Sequence, residues 1–218
     1  MKKLILALLS VCCASTAYSL DFSLEKMKAS AFDGNTVSVP AAPAPAKADS
    51  QIPQDLVYKF NQAKNDLWRL ESDTTWLRSD IDRLESTARR IAQTSSADAF
   101  FQSDLQRMSF DVSRYNNDAG RLRDQVKGLL QLAQKDAELN RIARDLEMDA
   151  RTLLNRAQFD MENSAQRLEW AVRGAKPELI GYNAQWQAMD ISRYTREFTW
   201  KVRDMSYDAQ ALVNKTRP

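Results

Sequence analysis

There is no histidine in this chain of 218 residues, and that one absence removes several chemistries. No Ser-His-Asp arrangement, no Glu-x-x-His di-metal motif and no histidine-ligated zinc can be assembled from it. Cysteine is nearly as scarce. The only two, Cys12 and Cys13, fall in the opening apolar segment, so the chain beyond it offers no thiol nucleophile and no disulfide. The five glycines are not clustered, which excludes by sequence a Gly-rich loop that cradles phosphate. With Lys2 and Lys3 set aside, the remaining 29 basic residues equal the 29 acids. A neutral chain lacks the electrostatic footprint of nucleic-acid binding. Carboxylates, Lys, Arg, Tyr and Ser remain as catalytic material. Carboxylate pairs run glycoside hydrolysis, but every helical surface carries carboxylates. The sequence therefore predicts a non-enzymatic protein with no catalytic, metal or cofactor site.

What is present begins with Met1-Lys2-Lys3, the apolar run Leu4 to Cys13, and small residues at Ala14, Ser15 and Ala17. This reads as a secretory signal peptide over 1–19, cut after Ala17 or Ser19. The run is too short to serve as a transmembrane anchor, and no later run is long enough. Val11 is bulky where a lipid-modified cysteine needs a small predecessor, which argues against a lipoprotein. The expected destination is the periplasm or the exterior. Residues 20–53 contain Pro40-Ala-Ala-Pro43-Ala-Pro45-Ala, where prolines fix φ and remove donors, so the stretch reads as a disordered linker. Leu20-Asp-Phe22-Ser-Leu24 within it is a candidate docking peptide.

From residue 54 to 218 a five-residue unit dominates: acid, apolar residue, any residue, Arg or an aromatic, apolar residue. It appears as Asp66-Leu67-Trp68-Arg69-Leu70, Asp73 to Leu77, Asp80 to Leu84, Asp104 to Met108, Asp111 to Tyr115, Asp118 to Leu122 and Asp190 to Tyr194. Seven-residue spacing with apolar pairs four and three apart predicts long, coiled-coil-like helices packed side by side. The fold class is all-α, an antiparallel four-helix bundle over 54–218. Thr94 to Asp98 favours a turn, and Gly174-Ala-Lys-Pro177 a stop and restart. Gly120 and Gly128 are expected to permit close helix approach. The boundary at Ala133 to Leu139 carries no Gly or Pro. Asp136 caps a new helix there, or else one continuous central helix runs through 98–173 and the protein is an extended three-helix rod.

Finer register follows from the seams. Leu153 to Ala165 steps four-four-four, a stutter that unwinds a left-handed supercoil. A matching stutter is expected at Phe198 to Val202, on a last-helix seam that includes Gln187 and Tyr194. Folding back near residue 96 sets Glu71 opposite Arg123 and predicts that contact. The aspartate heptads place successive carboxylates about 10 Å apart along an axis, too far for one metal ion. Each acid is expected to pair with the Arg three residues on.

The functional expectation rests on arginine and aromatics. Residues 54–218 hold 19 Arg against 7 Lys, with all five Trp. The last helix carries a second stripe at four-three spacing: Tyr182, Trp186, Met189, Arg193, Arg196, Trp200, Arg203 and Tyr207. The first helix carries Arg69, Trp76, Arg83 and Arg90. Either these stripes fill the wider apolar face that a bundle helix needs, or they face outward and bind a protein or glycan partner. The second account makes the protein an adaptor, scaffold or chaperone-like binder. An alternative is a small-ligand or lipid carrier with an apolar pocket between helices, lined by Tyr115, Tyr194 and Trp170. A regular seam closes equally within one chain or between chains, so a homo-oligomer is left open.

Overall fold

A computed structural model describes residues 53–218. The expected signal peptide, the expected linker except its last residue, Pro53, and the candidate docking peptide lie outside the described residues. Six helices and one π-helical turn follow in order: α1 (Gln54–Thr94), α2 (Phe101–Leu132), α3 (Ala137–Asn155), the turn (Arg156–Met161), α4 (Glu162–Arg173), α5 (Pro177–Ile180) and α6 (Ala184–Thr216). The turn joins α3 and α4 into one rod, so the domain is all-α and built on four long rods.

The apolar seams explain the rods. Leu56, Phe60, Ala63, Leu67, Leu70, Leu77, Ile81 and Leu84 of α1 are all buried, with Thr74 among them. Thr74 meets its burial by donating to the Glu71 carbonyl at 2.7 Å. Helix ends follow local chemistry. Ser95 takes the left-handed conformation (φ 51°) that ends α1, and its N–H donates to Ile91 O at 3.0 Å. Asp136 begins α3: its carboxylate accepts from Glu138 N at 2.7 Å and Leu139 N at 2.9 Å. Its own N–H donates to Thr216 O at 2.9 Å, which ties the end of α6 to the start of α3. Because Ala133 is extended (ψ 139°), no continuous helix runs from 98 to 173, and the rod alternative is excluded.

The packing order differs from an all-antiparallel bundle. α1 and α2 form one antiparallel hairpin, and α3–α4 with α6 form a second. Between hairpins the neighbours run parallel. α1 meets the third rod through Lys64–Asp145, Glu71–Arg156, Arg78–Asp160 and Glu85–Arg167, with both numbers rising together. α2 meets α6 in the same way, through Asn116–Glu197 and Leu130–Lys215. α1 and α6 occupy opposite corners, as do α2 and α3.

The two hairpins are structural repeats. Buried positions recur a constant 83 residues on: Leu56 and Leu139, Leu67 and Ala150, Met108 and Ile191, Leu129 and Leu212. Where the first hairpin places Phe60, Leu67, Phe101 and Leu105, the second places Ala143, Ala150, Ala184 and Ala188. Large side chains thus meet small ones at the same level, as dense packing requires.

The π-helical turn interrupts this spacing. Beyond it, Ile81 matches Ala165 and Leu84 matches Leu168, 84 residues apart. The four-four-four steps are therefore one inserted residue, absorbed by Glu162 N donating to Ala157 O five residues back. The Asn163 side chain donates to the Phe159 carbonyl there. The stutter expected in the last helix is absent. α6 buries Ala188 and Thr195 in place of Gln187 and Tyr194, so its seam steps four and three throughout.

Three further expectations are corrected. Glu71 pairs with Arg156 at 2.9 Å, and Arg123 with its neighbour Asp124 at 2.9 Å. The reason is that the Glu71 side of α1 faces the third rod, while α1 and α2 meet through Arg83–Asp104 and Arg90–Asp98. Gly120 and Gly128 do not mark close approach. A Cβ on Gly120 would meet only the Lys201 side chain at ordinary contact distance, and one on Gly128 would meet nothing. The glycine that matters is Gly181 (φ 91°), which parts α5 from α6.

Candidate partner-binding surface

α6 carries two stripes at the same spacing, and the bundle buries only one. Ala184, Ala188, Ile191, Thr195, Phe198 and Val202 form the seam. The other stripe faces water: Trp186 is 68 % exposed, Trp200 61 %, Tyr207 64 %, and Tyr182, just before the helix, 76 %. Met189 is exposed on the same side. The account in which these rings widen the buried face is therefore overturned. Each rod packs chiefly against two others, so a single narrow stripe satisfies it.

The arginines of the stripe differ in their partners. Arg193 pairs with Asp190 at 2.9 Å, and its guanidinium lies 4.8 Å from the Tyr194 ring centre. Among the described residues Arg196 donates only to the Ser192 carbonyl, at 3.4 Å. Arg203 has no ion pair among the described residues.

On α1, Trp76 is exposed, but the arginines around it are engaged. Arg69 is 3.9 Å from Asp66, and Arg83 is 3.6 Å from Asp80 and 3.5 Å from Asp104. Arg90 reaches Asp98 at 3.1 Å. Since α1 and α6 stand at opposite corners, Arg69, Trp76 and Arg83 do not share a surface with the α6 stripe. The structure separates the two groups that the sequence had placed together.

The aspartate heptads take the ion-pair geometry expected of them. Asp104–Arg107, Asp111–Arg114 and Asp118–Arg121 lie at 3.9, 3.8 and 3.6 Å. Such exposed pairs add little stability. A deeper cluster joins the hairpins. Glu85 is buried and accepts from Arg89 Nε at 2.7 Å and Arg167 Nε at 2.9 Å, while Arg167 also reaches Asp82 at 2.8 Å. The hydrogen bond to Glu85 holds the Arg167 guanidinium further toward its charged form. Burial raises the pKa of Asp149; nearby Lys64 opposes the shift and Asp145 adds to it.

Tyr115 and Tyr194 are partly buried beside the core, whereas Trp170 is 63 % exposed on α4. These three do not close on one cavity. Sequence reasoning missed the outward position of Trp170, although it lies midway between the seam residues Leu168 and Val172. It also passed over Phe159, exposed on the π-helical turn. No helix among the described residues is long and apolar enough to cross a membrane. No protein-family model, no curated protein and no solved structure matches this chain.

Proposed function

We propose that this chain is a non-enzymatic interaction protein, an adaptor, scaffold or chaperone-like binder, exported to the periplasm or the exterior. It binds a protein or glycan partner through the outward stripe of α6. One observation carries the reading. All five tryptophans of the chain are between 61 % and 73 % exposed, although 40 hydrophobic residues among those described are buried without them. Tryptophan on a wetted surface wastes its large apolar area unless something covers it, and rings with arginine are the usual anchors of interfaces. The α6 stripe is favoured over α1 because Arg196 and Arg203 form no ion pair among the described residues, whereas Arg69, Arg83 and Arg90 are all paired.

The test is capture from a cell-envelope extract by the full chain and by a variant carrying Trp186→Ala and Trp200→Ala. Both should show the same helical circular dichroism. The variant is expected to lose the captured partner. Unchanged capture by a folded variant would refute the α6 surface. Export has its own readout: the N-terminus of the mature protein should lie after Ala17 or Ser19.

A further inference from the structure

The two hairpins are joined by one short connection, Ala133 to Asp136, and little in its sequence demands a break. Between Gly128 and Gly174 the chain has no Gly or Pro, and Ala133, Gln134 and Lys135 are good helix formers. The connection also keeps the helical frame. Val126, Leu129, Ala133, Asp136, Asn140 and Ala143 step three and four as though one helix ran through, and all but the half-buried Asp136 are buried.

Tertiary contacts hold the break. Lys215 Nζ of α6 donates to the Leu130 carbonyl at 2.7 Å and the Gln131 carbonyl at 3.3 Å. Thr216 O takes the Asp136 N–H, and the Asp136 carboxylate caps α3. In a continuous helix the same backbone groups pair with one another, Gln134 N–H with Leu130 O, Lys135 N–H with Gln131 O and Asp136 N–H with Leu132 O. Opening the connection therefore orphans no backbone group. It does carry the hairpins to opposite ends of one long helix and bares both seams. Two first hairpins would set large side chains against large ones. The fitting cover for Phe60, Leu67 and Phe101 is a second hairpin with Ala143, Ala150 and Ala184, and a second open copy of this chain supplies it.

We propose that this chain has a second state, a dimer in which two copies open at residues 133–136 and exchange hairpins. Each four-rod bundle then combines one hairpin from each chain and remakes the contacts of the closed form. The latch of Asp136, Lys215 and Thr216 sets the balance between the two states. A helix from Phe101 to Arg173 would span about 110 Å, against about 60 Å for α1. The proposal does not depend on the α6 stripe, which faces outward in both states.

Lys64 and Asp145 pair at 2.6 Å across the hairpin boundary, so a carbodiimide can couple them directly. The full chain is refolded at millimolar concentration as an equal mixture of unlabelled and isotopically heavy protein, coupled, digested and weighed. Hairpin exchange is expected to give Lys64–Asp145 links of mixed isotope, which the closed chain cannot form. Asp136→Ala with Lys215→Ala should raise the dimerisation constant at least about tenfold, since a lost cap alone is worth about fivefold and two connections open per dimer. Lys215 is exposed, and Lys215→Ala alone should act in the same direction if the double variant does not fold. Gln134→Gly with Lys135→Gly disfavours a helix through the connection and should abolish the mixed links. No mixed link in the native chain or the latch variants overturns the inference, as do mixed links undiminished in the glycine variant. A dimer without mixed Lys64–Asp145 links is an association of closed bundles and overturns it too.

Discussion

Deleting Gln158 should leave this protein folded, and the structure says why. A one-residue deletion inside a helix ordinarily turns everything beyond it by 100°. Here the π-helical turn already contains one residue too many. Gln158 is exposed, and Ala157 and Met161 on either side of it are buried. Without Gln158 the seam from Leu139 to Val172 steps four and three without a break, and every core side chain keeps its place. The variant exchanges a π-helical turn for a regular one. It gains about one backbone hydrogen bond, worth about 0.5–1.5 kcal/mol, and gives up the Asn163 side-chain bond to Phe159 O, of similar size. The expected change is within about 1 kcal/mol, which is about 2–4 °C in Tm for a domain of this size. Deletion of Ser79, equally exposed but in regular α1, is the control. It rotates Ile81, Leu84 and Ile91 out of a core in which they are at most 2 % exposed. At about 1.5–3 kcal/mol for each of these three large aliphatic side chains, the loss is about 4.5–9 kcal/mol. Thermal melts followed by circular dichroism compare the two. If the Gln158 deletion melts as low as the Ser79 deletion, the turn is not an inserted residue and the repeat reasoning fails.

Two glycines should respond with opposite signs. Gly128→Ala is expected to raise stability by about 1 kcal/mol, the helix propensity gain, because nothing lies within 4 Å of the added Cβ. Gly181→Ala should lower it by about 1–3 kcal/mol, since φ is 91° and the Cβ would run into the Gln102 side-chain amide; urea melts read both. Glu85→Ala removes two charge-assisted bonds from a buried carboxylate and should cost about 1.5–3 kcal/mol. A double-mutant cycle with Arg167→Ala should show coupling, and strict additivity would mean the pair contributes nothing. Asp149→Asn should stabilise the protein at neutral pH. The folded pKa of Asp149 lies above its unfolded value, so its ionised form opposes folding at all pH above that folded value. The penalty fades as pH falls and Asp149 protonates, so the variant's advantage should disappear in acid. A gain that persists at low pH would contradict that origin.

The seam of α1, the turn beginning at Thr94 and the stop at Gly174 were legible in the sequence, and so was the seam of α2 except that Asn116 is buried where Tyr115 was expected. At Asp136 the sequence offered a cap and a continuous helix alike, and the structure chose the cap. Each depends on side chains within a few residues of one another. So did the pairing of each aspartate with the arginine three residues on. Three features were not legible. The parallel pairing of α1 with the third rod places Glu71 against Arg156 rather than Arg123, and no local signal orders two hairpins side by side. The stutter at Leu153 to Ala165 was visible, but its resolution as a π-helical turn depends on an unbroken partner, α1, holding the register. The third is the α6 stripe. Two rows of equal spacing run along that helix, and periodicity left open whether the second is buried with the first or faces outward.

The tertiary structure chose between those rows, and the reason is room. A corner rod packs chiefly against two neighbours, and the row of Ala, Thr, Val and Ile lets α2 and the third rod come close. The row of Trp, Tyr and Arg is too bulky for that gap and carries charge that the interior does not neutralise. Sequence determined that α6 would be a helix with two usable faces. Packing determined which face stays wet, and so which side chains form the surface proposed for a partner.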